Sequence, residues 1–265
     1  MSYYEPQGDY SSPAGGEKTP LLTIWQRVLF SPSVQTFARY LPEADLGRAV
    51  LWLVLASLVS AVAAGLPTLI APQRQLQETM ELLREIMPPE FSRELPPMMP
   101  GTRTISLGSL LCGIPLGVVL ALIGAFIGVG LIHLTAKLLQ GEGTYTGTFF
   151  LTAAVSAPLT LVTGVIQLLN GLLGMIPVVG VILTVIFGLF SLVLGIYGLV
   201  LNAMAVAAAH RFSLGKGFAA VLLPGVVLLL LLCCFVVGFA LMGASLGTFF
   251  EELQRELGLY LTFLV

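Results

Sequence analysis

GTYTGTFFLTAAVSAPLTLVTGVIQLLNGLLGMIPVVGVILTVIFGLFSLVLGIYGLVLNAMAVAAA, Gly143 to Ala209, is a run of 67 residues without one Asp, Glu, Lys, Arg or His. Soluble domains carry charge at roughly a quarter of their positions, so a gap of this length belongs in lipid. A bilayer core of about 30 Å takes roughly 20 apolar residues per helix, which makes the run two spans and a short connection; three spans fit only if the loops nearly vanish. Its helix breakers cluster between Asn170 and Gly180, and the turn is placed there. The spans are then about 148–169, carrying Pro158, and 181–207, carrying Asn202. A turn rich in Gly and Leu with no charge is expected to dip into the membrane or pack on its neighbours rather than stand extended in water.

Working outward on the N-terminal side, a span of about 107–132 carries Pro115 and two small-residue spacings, Gly113-xxx-Gly117 and Gly124-xxx-Gly128. Small residues four apart let helix backbones approach closely, so these four glycines are candidate packing positions. An earlier span, about 49–71, is bracketed by Arg48 and Arg74 and holds Pro67. On the C-terminal side, His210-Arg211-Phe212-Ser213-Leu214-Gly215-Lys216-Gly217 makes a brief basic loop before a fifth span, about 218–242, with Pro224 near its start. The expected fold is all-α: a polytopic integral membrane protein of five transmembrane helices, its membrane domain covering 49–248.

The flanks are of a different character. Residues 1–20 lack the apolar side chains that offset the entropy of ordering and read as a flexible tail. Between 21 and 48, two short amphipathic helices are expected, the second opened by Ser31-Pro32 and carrying Phe37 and Tyr40; such aromatic rings favour the headgroup level. In the loop 72–103, Leu76, Met80, Leu83 and Met87 mark one face of an amphipathic helix, and 249–265 repeats that pattern as an interfacial C-terminal helix.

Composition narrows the function. The chain is 57% hydrophobic and 10% charged, with a net charge of −2. No basic block suggests nucleic acid, and the lipid bilayer is the expected partner. Cys112, Cys233 and Cys234 fall in apolar runs and read as small buried hydrophobes, without disulfide or metal spacing. Five spans place seven Lys and Arg on the side of the N-terminus and five on the other, so the N-terminus is expected in the cytoplasm and the C-terminus outside.

That topology brings both histidines, His133 and His210, to the cytoplasmic face beside Lys137, Glu142, Arg211 and Lys216. These six form a candidate polar cluster, suited to titration near neutral pH or to lipid phosphate, with interfacial anchoring as the plainer role. Two histidines without a further ligand at suitable spacing do not make a zinc site, and no metal or cofactor is expected. No Asp or Glu lies inside a span, and the hydroxyls of Thr152 and Ser156 have no histidine at comparable depth, so no catalytic residue is assigned and an enzyme is not expected. Prolines in or beside every span, Pro67, Pro115, Pro158, Pro177 and Pro224, keep open a route for a small solute or lipid past broken helices; Pro115, Pro158 and Pro224 are the candidate kinks.

Several stretches, in order, resemble the Yip1 domain family, particularly its prokaryotic members: Ile24-Trp25-Gln26-Arg27-Val28-Leu29-Phe30-Ser31-Pro32; Leu131-Ile132-His133-Leu134-Thr135-Ala136-Lys137-Leu138-Leu139; Gly141 to Phe149; Ser156-Ala157-Pro158; Ile176-Pro177-Val178-Val179-Gly180; and Ala208 to Gly217. The resemblance covers roughly 22–242. It implies five membrane helices with a cytosolic N-terminus and an external C-terminus, and for eukaryotic relatives a trafficking role through Rab-type GTPases. The Asp-Leu-Tyr-Gly-Pro type motif expected before the first span is absent here, where Asp45-Leu46-Gly47 stands, and the Gly-Tyr motif of the third span is missing, so no small-GTPase-binding residue is carried over. The expected role is a non-enzymatic organiser of membrane or membrane-protein partners in a prokaryotic plasma membrane, acting on a second copy of itself or on other membrane proteins.

Overall fold

The structure, a computed structural model, describes residues 19–70, 107–174, 176 and 179–236. The expected tail before residue 19, the loop helix of 72–103, the C-terminal helix of 249–265 and the fifth span beyond residue 236 lie outside the described residues. Among those described there is no strand. The helices are α1 (Leu21–Phe30), α2 (Val34–Tyr40), a single 3-10 turn (Leu41–Glu43), α3 (Leu46–Ile70), α4 (Leu107–Leu138), α5 (Tyr145–Leu173), α6 (Val179–His210) and α7 (Leu214–Val236). The last five are each long and apolar enough to cross a membrane, so the chain is a multi-pass integral membrane protein. Contacts divide it into a unit ending at Val221 and a second beginning at Leu222, with α7 running across the division.

The spans are longer than composition suggested. α4 continues to Leu138, so His133 and Lys137 stand on its last turns and not in a loop. α5 begins three residues earlier than expected and reaches Leu173, while α6 starts at Val179. The connection between them is therefore shorter than Asn170–Gly180. It is closed by the Ile176 N–H donating to Leu173 O at 3.1 Å and Gly180 N–H to Ile176 O at 2.7 Å, and Thr184 donates to Asn170 Oδ1 at 2.9 Å. Gly180 lies so near Gly174 that a Cβ there would stand 2.6 Å from the Gly174 carbonyl, which only glycine tolerates. α3, α4 and α5 each run on through their proline, Pro67, Pro115 and Pro158, so none of these three spans is broken there. Helix assignment likewise continues through Pro224.

Two features of the sequence build the core of the first unit. α1 buries Ile24 and Val28, one turn apart, and exposes Leu22 and Phe30, so a single apolar face docks on the spans. α2, capped by the Ser33 side chain accepting from the Thr36 N–H, buries Phe37 and Tyr40. These helices share one core with the N-terminal half of α5, where Thr148 to Val155 are all buried, and with Leu201, Ala205, Ala208 and Ala209 of α6. Trp52 of α3 joins the layers: its ring meets Trp25 edge-on at 6.4 Å and Phe150 at 5.0 Å, with the Arg48 guanidinium 5.1 Å above it. Arg48 also pairs with Glu43 at 3.4 Å, pinning the 3-10 turn to the start of α3.

α3 and α5 run in the same direction, because Trp52 meets Phe150, Ser60 faces Gly164 and Pro67 faces Gly171. α5 and α6 form an antiparallel hairpin, with Thr148 beside His210 and Leu159 beside Gly198. The glycines that permit close approach inside the fold are Gly164, Gly171, Gly198 and, on α7, Gly217 against the Ala203 carbonyl. At the expected packing positions, Gly113, Gly117, Gly124 and Gly128, no described atom lies within 4 Å of where a Cβ would sit. The cysteines depart from expectation: Cys112, Cys233 and Cys234 are free and exposed, small apolar residues on an outward face.

Candidate functional site

At the end of the hairpin where α4, α5 and α6 meet, polar side chains enter the core. α4 delivers His133 from its penultimate turn, α6 delivers His210 as its last residue, and α5 delivers Thr148 from its first turn, one turn after the Thr144 cap. The His133 and His210 rings lie 5.0 Å apart between centroids, tilted by 46°. Between them lies the Thr148 hydroxyl, 3.3 Å from His133 Nδ1 and 3.0 Å from His210 Nε2.

Thr148 Oγ1 also reaches the Thr144 carbonyl at 2.9 Å, so one hydroxyl with a single hydrogen links α4, the start of α5 and the end of α6. His210 is 1% exposed, and its Nδ1 makes no well-formed hydrogen bond where it faces the Gly141 backbone. The loop after α4 closes over this ring: a Cβ on Gly141 would lie 2.5 Å from His210 Nδ1, and the Glu142 N–H donates to His210 O at 3.3 Å. Gln140 and Arg211 take positive φ, 66° and 54°, to turn the chain out of α4 and α6. Tyr145 and Phe212 flank the two histidines at 5.7 and 5.6 Å.

The structure thus divides the six residues of the expected cluster. His133 and His210 form a close, tilted ring pair; Lys137, Glu142, Arg211 and Lys216 are exposed around it and form no ion pair with one another among the described residues. Lys216 Nζ reaches the Leu139 carbonyl at 3.3 Å and ties the start of α7 to the end of α4. Thr148, Tyr145 and Gly141 were not singled out as site residues, although all three lie in the Gly141–Phe149 stretch; a threonine one turn after a threonine cap was the available signal. Among the described residues no group of three or more His, Cys, Asp or Glu could hold a metal ion.

A second polar feature lies deeper. A pocket of about 250 Å³ between α3, α4, α5 and α6 is lined by apolar side chains together with Thr152, Ser156 and Asn202. Three threonines in the spans donate to the carbonyl four residues back, Thr148 to Thr144 at 2.9 Å and Thr135 to Leu131 and Thr163 to Leu159 at 2.8 Å each. Thr152 does not; its buried hydroxyl has no partner, and neither has Asn202 Oδ1, although Asn202 Nδ2 donates to Gly198 O at 2.9 Å.

With this geometry in hand, the family model of the Yip1 domain matches residues 27–254, most of the chain. No curated protein and no solved structure matches the chain significantly.

Proposed function

Because the chain belongs to the Yip1 domain family, and from the outward glycine face of α4, we propose that it is a non-enzymatic organiser of membrane proteins that docks a partner helix, from a second copy or another protein, along that face. The observation that carries this is a contrast. The glycines used between helices of the chain are all in tight contact, whereas Gly113, Gly117 and Gly124 are exposed and open, with Gly128 one turn further on at the edge of the pocket between the helices. Gly188 and Gly195 on α6 are open as well. Lipid tails are as apolar as leucine, so helices associate in a bilayer through close packing, and a helix side of small residues is where that packing is strongest. In this reading the N-terminus is cytoplasmic, the C-terminus external and the membrane a prokaryotic plasma membrane. Chemical crosslinking of the full chain in native membranes, followed by purification in mild detergent, tests it: a discrete crosslinked complex is expected, and recovery of monomer alone counts against it.

The unpaired Thr152 hydroxyl and Asn202 carbonyl oxygen favour one second reading, a pathway or binding site for a small solute or lipid in the pocket they line. Flux into liposomes holding the purified protein alone distinguishes it from the first.

A further inference from the structure

The outward apolar face of α6 ends where the corner between α1 and α2 meets it. Its large exposed side chains run from Val179 to Ile196, 18 residues, or about 27 Å of helix, close to the depth of a bilayer core. The next residue, Tyr197, donates its hydroxyl to the Leu29 carbonyl of α1. α1 itself exposes Leu22 and Phe30, side chains suited to the upper acyl region. The corner between α1 and α2 therefore sits at headgroup depth.

In that corner is a cleft of about 320 Å³ lined by Arg27, Arg39, Ser31, Ser33, Thr36 and Tyr40, within the roughly 300–1,000 Å³ of small-ligand sites. Some of its donors are already spent. Thr36 Oγ1 donates to Ser31 O at 3.0 Å, so Ser33 Oγ, 2.8 Å away, donates to Thr36 Oγ1 while accepting the Thr36 N–H at 3.0 Å. The two guanidinium groups are exposed and make no ion pair among the described residues. Glu43, just beyond Tyr40, is engaged by Arg48 and by Thr19 Oγ1 at 2.5 Å, and no carboxylate lines the cleft. Tyr40 is 2% exposed, and its hydroxyl is buried without a partner. A buried, unpaired hydroxyl is costly, and two guanidinium forks beside it, with the Gln35 amide also on the lining and no carboxylate, supply N–H and O–H donors that complement phosphate oxygens.

We propose that the α1–α2 corner is a phosphate-binding site that takes the headgroup of an anionic phospholipid, Arg27 and Arg39 engaging the phosphate and the Tyr40 hydroxyl serving as its buried donor. Native mass spectrometry of the full chain in detergent tests this with dioleoyl phosphatidylglycerol, dioleoyl phosphatidylcholine and inorganic phosphate as probes. Preferential retention of phosphatidylglycerol is expected, weakened at least about tenfold in Arg27→Gln/Arg39→Gln, partly restored in Arg27→Lys/Arg39→Lys, and weakened about threefold in Tyr40→Phe. Unchanged thermal unfolding of the glutamine variant excludes misfolding; a variant that unfolds is replaced by the lysine pair, whose retention must fall between wild type and none. Equal retention of the two lipids, or retention indifferent to the arginines, overturns the site. Displacement of phosphatidylglycerol by equimolar inorganic phosphate overturns the lipid assignment.

Discussion

Thr148 Oγ1 stands 3.0 Å from His210 Nε2 and 3.3 Å from His133 Nδ1, and one hydroxyl thereby serves histidines that lie 77 residues apart in sequence. Thr148 is 1% exposed. Replacing it with valine keeps the shape and leaves two imidazole nitrogens facing a methyl. Thr148→Val is expected to lower stability by about 1–3 kcal/mol, the cost of buried polar groups left without a partner. Thr148→Ser, which keeps the hydroxyl, should recover most of that. Thermal unfolding in detergent measures both, and equal stability of the valine and serine variants would refute the shared hydrogen bond.

Trp52 connects α1, α3 and α5 through its contacts with Trp25 and Phe150. Trp52→Ala removes that bridge at a site 3% exposed and should cost about 3–5 kcal/mol. Limited proteolysis reads the consequence: cleavage within 21–44 is expected to accelerate as α1 and α2 detach, and an unchanged digestion pattern would show that other contacts hold them.

Glycines on the two sorts of face should respond oppositely to the same change. A Cβ at Gly164 would stand 2.8 Å from Ser60 Cα, backbone that cannot move aside, so Gly164→Ala is expected to destabilise by about 1–3 kcal/mol. Gly124→Ala meets nothing within 4 Å and should leave the isolated chain as stable or up to about 1 kcal/mol more so. Unfolding temperatures of the two variants that move together would contradict the assignment of inner and outer faces.

Glu142 and Lys216 both belong to the end of the first unit marked by the histidine pair, tied there through His210 O and Leu139 O. In a chain whose own cysteines are replaced by serine, single cysteines at Glu142 and Lys216 are expected to react with an impermeant maleimide from the same side of the membrane, and a cysteine at Gly174 from the other. Labelling of positions 142 and 216 from opposite sides would break the five-span topology.

The membrane class and the number of spans were legible because charge is excluded from lipid, and a run like Gly143–Ala209 has no other home. Span ends were harder: His133, Lys137 and Thr144 are polar, yet α4 carries the first two on its last turns and Thr144 caps α5, since a helix ends where its backbone groups are satisfied and not where charge begins. The two histidines were visible as a pair because topology alone puts their ends together. Thr148 was not, because threonine in an apolar helix is usually spent on its own backbone. The glycine spacings in α4 suggest a close-packing face without naming the helix it would meet; inside the fold close approach falls to Gly164, Gly171 and Gly198, whose neighbours are set by tertiary contacts.

The docking face of α4 is tested most directly by crosslinking in membranes. Single cysteines at Gly117 and Gly124, joined by a short bifunctional reagent, are expected to give a discrete complex that Gly113→Leu/Gly128→Leu abolishes without lowering the unfolding temperature of the monomer. Monomer alone at every position, together with solute flux through liposomes containing only this protein, would contradict an organising role and leave the pocket at Thr152 and Asn202 as the functional site.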